Sequence, residues 1–560
     1  MPNSNEIVLG AKLIVNEFGN GFLNLADGRT VYVRKADIFK WWQGSVSADV
    51  WNTDGRWYGR IHPQPIVGRE FVGQIHHFYG GNTYVVVHER GSMLVIPGVT
   101  TLAKHTWVCV IITGDASPYP EARITRVLQN DADEVAEATF CLTELASPEG
   151  QTTTITTTNR RDLTHLHTFT IDGPTTQDCD DAFSVQHDPD NNQWRIWVHI
   201  SDVSAYFNPE TTPELFKQIL QRGRTTYGQS RSWPMIPTQY AHDTCSILPG
   251  KVTLTHSCEF TVKGEDGCVE FVAEYWSQVR SAEKRLYSAA GDLSGLREGA
   301  AWLSSQTQEL DLTSGQLPHE SMTIVKRWMI LTNCTMSQRL QRVFRSHEAP
   351  SANEVADVVG TTATTTTTTT TATLNEFLQT NTQPVHAWRI KNILKRAVYN
   401  EDPLMGHWAL GIAPPNTYTH WTSPIRRAAD LVCQCYLKGH TFTSAELTDM
   451  LQQINGAGMF EDTVERWYRR WDALQSMKMG DVLEGTIVSV APVGVQVYIG
   501  YPYNSTASLH VSVLGGSERL TFAPPQTLKG ETRTFCLMDQ LPLVVTKCEF
   551  GQIEFRTQYS

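Results

Sequence analysis

Short apolar runs alternate with glycine-containing turns through the first 128 residues. Runs of roughly four to eight residues rich in valine, isoleucine and aromatics predict β-strands joined by tight turns. The predicted strands are Ile7–Leu9, Lys12–Val15, Gly21–Leu25, Thr30–Val33, Ala48–Trp51, Trp57–Ile61, Phe71–Ile75, Tyr84–Val87, Met93–Gly98 and Trp107–Ile112. About five short strands in about 60 residues are typical of a small barrel. We therefore predict one barrel over residues 1–65 and a second over residues 66–128.

The pattern is mixed from residue 129 to residue 476, which predicts one large α+β domain. Apolar positions at helical spacing predict helices over Met322–Phe344, Ala445–Ile454 and Phe460–Met477. A run of eight threonines occupies residues 364–371. Because β-branched threonine weakens helices, we interpret residues 360–373 as an exposed insertion. Residues 477–560 return to short strands and predict a third barrel.

The segment Thr170–Ala182 contains four aspartates and no lysine or arginine: Asp172, Asp178, Asp180 and Asp181. Like charges this close repel, and burial raises the cost of keeping them ionised. An EF-hand calcium loop would need a terminal glutamate that the segment lacks. Two interpretations stay open from the spacing alone. The segment is either a solvated acidic turn or a site for two divalent cations that cleave a phosphodiester.

Further motifs follow this segment in a fixed order. They are Trp197-Val-His-Ile-Ser-Asp-Val-Ser204, Met235-Ile-Pro with Cys245-Ser-Ile-Leu-Pro-Gly250, Phe344-Arg-Ser-His-Glu-Ala-Pro350 and Tyr418-Thr-His-Trp-Thr-Ser-Pro-Ile-Arg-Arg427. Together with the acidic segment and the flanking barrels, this set resembles the RNase II/RNase R family over nearly the whole chain. The resemblance implies processive 3′-to-5′ hydrolysis of single-stranded RNA to 5′-mononucleotides, with magnesium as the cofactor.

The resemblance also implies a multidomain fold, in which three small OB-fold barrels flank a large α+β catalytic domain of the RNB type. Residues 1–65 and 66–128 would be cold-shock-like, residues 129–476 would be the catalytic domain, and residues 477–560 resemble the RNA-binding domain repeated in ribosomal protein S-one. The implied catalytic and metal-binding quartet is Asp172, Asp178, Asp180 and Asp181, which would hold two Mg²⁺ ions, with Mn²⁺ as an expected substitute. Arg426 would grip the scissile phosphate, because a guanidinium binds phosphate bidentately. The division of labour among the aspartates stays open.

Five further residues are candidates for RNA contact: Tyr227, Phe344, Glu465, Phe22 and Tyr32. By resemblance, Tyr227 and Phe344 would stack on bases near the 3′ end, and Glu465 would lie near the terminal nucleotide. Phe22 and Tyr32 occupy positions similar to the RNA-contacting strands of cold-shock domains, where exposed aromatics stack on bases. Core packing stays an alternative for the aromatics, and an exposed helix charge for Glu465. We expect His199 to pack or form hydrogen bonds beneath the site rather than bind metal.

The bulk composition limits the partners and the location. A net charge of −12 argues against non-specific coating of nucleic acid. No apolar run approaches the roughly 20 residues that span a bilayer, and the first residues resemble neither a signal nor a transit peptide. Eleven cysteines without a Cys-x-x-Cys pair suggest reduced thiols. We expect a cytoplasmic monomer whose partner is single-stranded RNA, with no membrane association and no obligate protein partner.

The chain departs from the family pattern at Ala428, where relatives carry tyrosine. It also shows neither a long basic C-terminal tail nor an extra N-terminal helical module. It is therefore more similar to compact RNase II, and we expect weak action on stable duplexes. Two other functions stay possible. A catalytically weakened RNA-binding regulator would have a broken quartet or lack the arginine, and a small-nucleotide phosphodiesterase would not need three barrels.

Overall fold

The short strands of the N-terminal region, which are separated by turns, form two closed five-stranded barrels, which confirms the barrel prediction. The first is ordered β1-β2-β3-β5-β4 and the second β10-β8-β7-β6-β9. Apolar side chains that alternate along each strand fill the interiors, among them Leu23 and Val31 in the first barrel and Ile75 and Val85 in the second. The strands are β1 (Glu6–Val15), β2 (Gly21–Asn24), β3 (Thr30–Val33), β4 (Ser45–Thr53), β5 (Arg56–Ile61), β6 (Glu70–Tyr79), β7 (Asn82–Val87), β8 (Ser92–Pro97), β9 (Trp107–Gly114) and β10 (Glu121–Val127).

The computed structural model describes most of the chain, and its contacts define two units. Unit 1 comprises residues 1–142, 470–483 and 543–558, and unit 2 comprises residues 143–469, 484–542 and 559–560. The described residues are 6–15, 21–25, 30–34, 45–53, 56–61, 67–87, 92–114, 119–147, 159–264, 266–306, 309–312, 319–359, 371–500, 503, 505–514, 519–523, 527–549 and 552–558.

Unit 2 is built around a six-stranded sheet ordered β11-β18-β12-β13-β14-β17, in which β17 also pairs with β18. Its large core includes Phe169, Phe183, Phe207 and Trp328. The strands are β11 (Arg161–Asp162), β12 (Thr168–Asp172), β13 (Asp181–Asp188), β14 (Gln193–Ser201), β17 (Val252–Lys263) and β18 (Val269–Leu286). Two small two-stranded antiparallel sheets accompany the six-stranded sheet. One is the hairpin of β15 (Thr226–Tyr227) with β16 (Ser232–Trp233), and the other pairs β19 (Phe344–Ser346) with β20 (Val398–Asn400), which is distant in sequence.

The helix over Ser294–Gln306 contacts four strands of this sheet, β13, β14, β17 and β18, and short helical turns lie at Val203–Ala205, Tyr240–Thr244 and Trp408–Leu410. The helices are α1 (Ala132–Phe140, in unit 1), α2 (Pro213–Arg222), α3 (Ser294–Gln306), α4 (Glu320–Leu340), α5 (Ala352–Val359), α6 (Thr371–Thr380), α7 (Pro384–Ile393), α8 (Ala428–Leu437) and α9 (Ser444–Ser476). None of the described helices is long and apolar enough to span a membrane. The eleven cysteines are all free thiols, as predicted.

Three helical predictions need correction. The helix predicted over Met322–Phe344 ends at Leu340, and the two helices predicted after Ala445 form the single helix α9. The threonine tract over 360–370 lies outside the described residues. Within the described part of the predicted insertion, Thr371 is buried at the start of α6 rather than exposed, whereas Thr373 is exposed.

The C-terminal strands divide between the two units. They are β21 (Val482–Ala491), β22 (Gly494–Ile499), β23 (Ser505–His510), β24 (Thr521–Ala523), β25 (Thr527–Lys529), β26 (Thr534–Cys536), β27 (Gln540–Glu549) and β28 (Gln552–Thr557), with α10 at Val511–Leu514. In unit 2, β22 pairs with β21 and β23, and in unit 1, β27 pairs with β28. A separate barrel over residues 477–560 stays a prediction.

Candidate active site

The acidic segment is anchored between two buried strands of the six-stranded sheet. Asp172 is the last residue of β12, and Asp181 is the first residue of β13. The two strands are antiparallel, with Phe169 opposite Phe183, and both of these rings lie in the core. Because the core fixes both strands, the loop between them carries the other two aspartates at a defined edge of the sheet.

One cavity of about 740 Å³ collects the acidic side chains. Its lining includes all five residues predicted as catalytic: Asp172, Asp178, Asp180, Asp181 and Arg426. Tyr227, Tyr287 and His242 also line it. The sequence motif and the fold therefore converge on the same site.

Asp180 and Arg426 form an ion pair in the cavity. Asp180 is only 3% exposed, and its two carboxylate oxygens accept hydrogen bonds from the Ile425 N–H at 2.8 Å and from Arg426 Nε at 3.0 Å. Arg426 Nη2 donates to Ser423 Oγ at 2.8 Å. Burial raises the pKa of Asp180 well above its usual range although Arg426 opposes the rise, and the pKa of Arg426 is raised by Asp180 against the effect of burial. The Arg426 side chain remains 42% exposed, so its other N–H groups can reach a ligand.

Asp430 holds the loop that carries Arg426. Its buried carboxylate accepts from the Ser423 N–H at 2.8 Å and from Arg427 Nη2 at 2.7 Å. These bonds close the segment between Ser423 and the start of α8. The orientation of Arg426 thus depends on a carboxylate that does not line the cavity.

Tyr227 stands over the acidic loop. Its hydroxyl donates to Asp178 Oδ2 at 2.6 Å, and its side chain is 48% exposed. Burial first, and then the charge of Asp178, raise the pKa of the Tyr227 hydroxyl, which therefore stays protonated. A ring held at its hydroxyl end and exposed elsewhere can stack on a nucleobase.

Asp172 and Asp181 are carboxylates whose ionised form is destabilised by burial, as the raised pKa of each shows. Asp172 Oδ2 is buried and has no hydrogen-bond partner in the described part of the chain. Burial raises the pKa of Asp172, and burial together with Asp172 raises the pKa of Asp181 to about 7. A bound cation would remove both costs. An all-oxygen donor set suits Mg²⁺ or Mn²⁺, so these residues fit a hard divalent ion.

The present side-chain positions of the four aspartates are not those of a shared metal site. Within the described ranges, no three carboxylate, thiolate or imidazole side chains are grouped closely enough to hold one ion as they stand. Asp180 is engaged by Arg426, and Asp178 by Tyr227. Metal binding would therefore redirect these two carboxylates from their present partners.

His199 lies beneath the site and does not line the cavity. Its ring nitrogens form hydrogen bonds with Ser184 Oγ at 3.0 Å and Ser257 Oγ at 2.6 Å, and burial lowers its pKa to about 3. The neutral imidazole joins three neighbouring strands, β13, β14 and β17. This confirms the expectation that His199 supports the site by hydrogen bonding.

Comparison with known protein families decides the identity. The RNB domain family matches residues 160–312 and 296–443, which together make up just over half of the chain. The chain belongs to the RNase II/RNase R family. The matched residues include the acidic segment and the loop of Arg426, so the residues of this cavity that were predicted from the sequence all lie within the matched region.

Curated relatives carry names from both branches of the family. Ribonuclease R of Buchnera aphidicola is 24% identical over 453 residues, which cover 66% of this chain and 61% of that protein. Exoribonuclease 2 of Vibrio cholerae is 25% identical over 340 residues, covering 51% of this chain and 49% of that protein. The chain thus matches about half to three fifths of the length of these relatives.

Solved structures share the RNB fold at low sequence identity. RNase R of Mycoplasma genitalium, in complex with ribose-methylated single-stranded RNA, has a TM-score of 0.81 at 17% identity, and the match covers 98% of this chain and 100% of that one. Yeast Ssd1, described as a pseudonuclease, has a TM-score of 0.63 at 14% identity, covering 94% of this chain and 81% of that one. The likeness establishes the fold that this chain shares with both an RNA-bound RNase R and a pseudonuclease.

Two of the residues predicted to contact RNA, Phe344 and Glu465, do not line the cavity. Phe344 is 3% exposed at the start of β19, which contradicts a stacking role, because the ring is inside the protein. Glu465 lies on α9 with its side chain 64% exposed, and it pairs with Arg469 at 3.6 Å. It does not line the cavity, and its contact with a terminal nucleotide stays a prediction.

The first barrel presents a row of half-buried aromatics, which extends the predicted pair. Phe22 and Tyr32 are opposite each other on β2 and β3, with ring centroids 5.8 Å apart. Tyr58 lies 6.2 Å from Tyr32, and Trp51 stacks 6.3 Å from Tyr58. The parallel pairing of β3 with β5 creates this four-ring row, and that pairing is not visible in the sequence.

Sequence reasoning missed Tyr287 and Asp430. Tyr287 lines the cavity because β12 and β18 are parallel neighbours, and its N–H donates to the Asp172 carbonyl at 3.2 Å. Burial and the charges of Asp181 and Asp172 raise the pKa of its hydroxyl. Asp430 gave a weak signal, an acidic residue in an otherwise apolar helix turn. Only the folded contacts identify its role.

Proposed function

We propose that this protein is a metal-dependent exoribonuclease that hydrolyses single-stranded RNA from the 3′ end and releases 5′-mononucleotides. The observation that carries the proposal is the cavity in which the four aspartates meet Arg426. The names of the curated relatives, Ribonuclease R and Exoribonuclease 2, support the same reaction. Successive cleavage without release of the RNA is part of the proposal.

Each part of the site has a role in this reaction. Asp172, Asp178, Asp180 and Asp181 would hold two Mg²⁺ ions, for which Mn²⁺ could substitute. Bound metal would activate water and stabilise the charge on the attacking and leaving oxygens. Arg426 would bind the scissile phosphate through the N–H groups that Asp180 and Ser423 leave available.

The aromatic residues would hold RNA without reading its sequence. Stacking contributes about 1–3 kcal/mol per base and tolerates every base, as an exonuclease requires. Tyr227 would stack on a base at the cavity, and the row from Phe22 to Trp51 would stack on bases at the first barrel. We further propose that the barrels are OB-folds, two of them cold-shock-like, and that the protein is a cytoplasmic monomer with little action on stable duplexes.

A second candidate function is RNA binding without catalysis. The structural likeness to a pseudonuclease favours it. The intact quartet and the buried Asp180–Arg426 contact oppose it, because a protein that only binds RNA has no need for four acidic side chains in an RNA site.

The experiment uses a 5′-labelled unstructured RNA incubated with Mg²⁺ and sampled over time. We expect a ladder of products shortened from the 3′ end, and no shortening by Asp180→Asn. Asp190→Asn, in an exposed turn, is the matched control and should act like the parent protein. RNA that binds the parent tightly but is never shortened would favour the regulator. Equal shortening by Asp180→Asn would contradict the site assignment.

A further inference from the structure

Four arginines are connected to the loop of Arg426, the residue that we propose grips the scissile phosphate. Arg427 follows Arg426 in the chain, and Arg224 forms an antiparallel bridge with Arg427. The Thr225 N–H donates to the Arg426 carbonyl at 3.1 Å. Arg396 pairs with Asp462 on α9, and Arg345 lies over the ring of Tyr399, whose N–H donates to Asn455 of the same helix at 2.9 Å, so these two arginines complete the group. We call Arg224, Arg345, Arg396 and Arg427 the arginine cluster.

Three members of the arginine cluster have carboxylate partners. Arg224 pairs with Glu461 and Arg396 with Asp462, so two successive residues of α9 hold them. Arg427 pairs with Asp430 at 2.7 Å. Gly458 on α9 allows this arrangement, since a Cβ there would lie 2.8 Å from Arg396 Nη2.

Arg345 is the member of the arginine cluster that has no carboxylate partner among the described residues. Its guanidinium lies over the ring of Tyr399, 4.4 Å from the centroid, and no carboxylate in the described part of the chain forms an ion pair with it. Burial, followed by the charges of the other three arginines, lowers the pKa of Arg345, while Tyr399 opposes this. Four cations against three carboxylates leave one positive charge in a partly buried position.

A partly buried cation among other cations is costly unless an anion completes the group. The proposed substrate is a chain of phosphates that must pass Arg426, and a guanidinium is the side chain best suited to a phosphodiester. We infer that Arg345 binds an internal backbone phosphate of the RNA, as a second phosphate site beyond the scissile one. The inference rests on the proposed function, and it makes Arg345 a substrate-binding residue remote from the reacting atoms.

The test measures RNA binding in EDTA, where no cleavage occurs, over a series of salt concentrations. Removal of one arginine–phosphate ion pair should reduce the slope of log K against log salt by about 0.7 for a single strand. We expect Arg345→Gln to show that reduction with binding about tenfold weaker at moderate salt, and Arg345→Lys to keep the slope. Arg342→Gln is the matched control, because Arg342 is exposed, pairs with Glu401 at 3.4 Å and lies three residues away. It should keep the parent slope.

A second measurement identifies the phosphate. One charge-neutral methylphosphonate is placed at each linkage of the RNA in turn. We expect one internal linkage at which the neutral group weakens binding to the parent but not to Arg345→Gln. If Arg345→Gln keeps the parent slope and the parent profile, the second phosphate site is wrong while the proposed function stands. If the parent protein binds no RNA at all, the proposed function fails as well.

Discussion

Removal of the Asp181 charge should abolish turnover and at the same time stabilise the metal-free protein. Burial and the neighbouring Asp172 raise the pKa of Asp181 from 3.8 to about 7. Because the folded-state pKa lies above the unfolded value, the folded state binds the extra proton, and stability falls as the pH rises from 3.8 towards 7. At about 1.4 kcal/mol per pKa unit, the cost near pH 7 is roughly 4 kcal/mol, and near pH 4 it is below about 1 kcal/mol. Asp181→Asn removes that cost and keeps the shape of the side chain.

The assay is thermal unfolding of the parent and of Asp181→Asn in EDTA, at pH 7 and at pH 4. We expect the variant to melt several degrees higher at pH 7 and within about one degree at pH 4. Added Mg²⁺ should raise the melting temperature of the parent more than that of the variant, because ligand binding stabilises only a folded state that binds it. Asp190→Asn controls for a charge change at an exposed turn. A variant that melts below the parent at pH 7 would refute the reasoning that Asp181 is held ionised at a cost.

Three further predictions follow from the same contacts. Asp180→Asn should lose turnover by at least about a hundredfold and bind RNA in EDTA within a few-fold of the parent, which filter binding and single-turnover cleavage can compare. Tyr227→Ala should weaken RNA binding by about 1–3 kcal/mol. Tyr227→Phe loses only the hydrogen bond to Asp178 and should bind RNA like the parent. Equal losses of RNA affinity in the two variants would exclude stacking by the ring. Burial lowers the pKa of His199 and of His407 to about 3, so the unfolded chain takes up protons below pH 6.5 that the folded chain does not. Because Asp181 contributes with the opposite sign over the same range, the test is the difference in the free energy of unfolding between the parent and His199→Asn, measured in urea. That difference should fall by about 1.6 kcal/mol between pH 6.5 and pH 5, and a difference independent of pH would contradict the shift of His199.

The sequence predicted the local elements better than the long-range ones. The barrel strands appeared because each has its own alternating pattern and its own turn residues. The prediction of two separate C-terminal helices was wrong, because Gly456 and Gly458, which lie between the predicted segments, are both inside the single helix α9. Other segments pack closely against this part of α9: Gly223 contacts Ala457, and Arg396 contacts Gly458. Such contacts join segments distant in sequence and leave no periodic signal.

The site shows the same division. The acidic quartet and Arg426 were predictable as neighbours because the quoted motifs contain them, and one cavity brings all five together. The stacking role of Phe344 was wrong because its side chain is buried at the start of β19, a strand whose pairing with the distant β20 no local pattern records. Tyr287 was missed for the opposite reason, since only the parallel pairing of β12 with β18 brings it to the cavity. Residues that act through tertiary neighbours require the fold.

The central claim is that the cavity of the four aspartates and Arg426 hydrolyses RNA from its 3′ end. Its most direct test is the mass of the first product released from a defined RNA by the parent protein with Mg²⁺, with EDTA, and by Asp180→Asn with Mg²⁺. We predict the 3′-terminal nucleotide as a 5′-monophosphate, formed by the parent with Mg²⁺ and absent from the other two reactions. A first product that is an internal fragment or a 3′-phosphate, or a 5′-monophosphate that Asp180→Asn forms equally well, would contradict the claim.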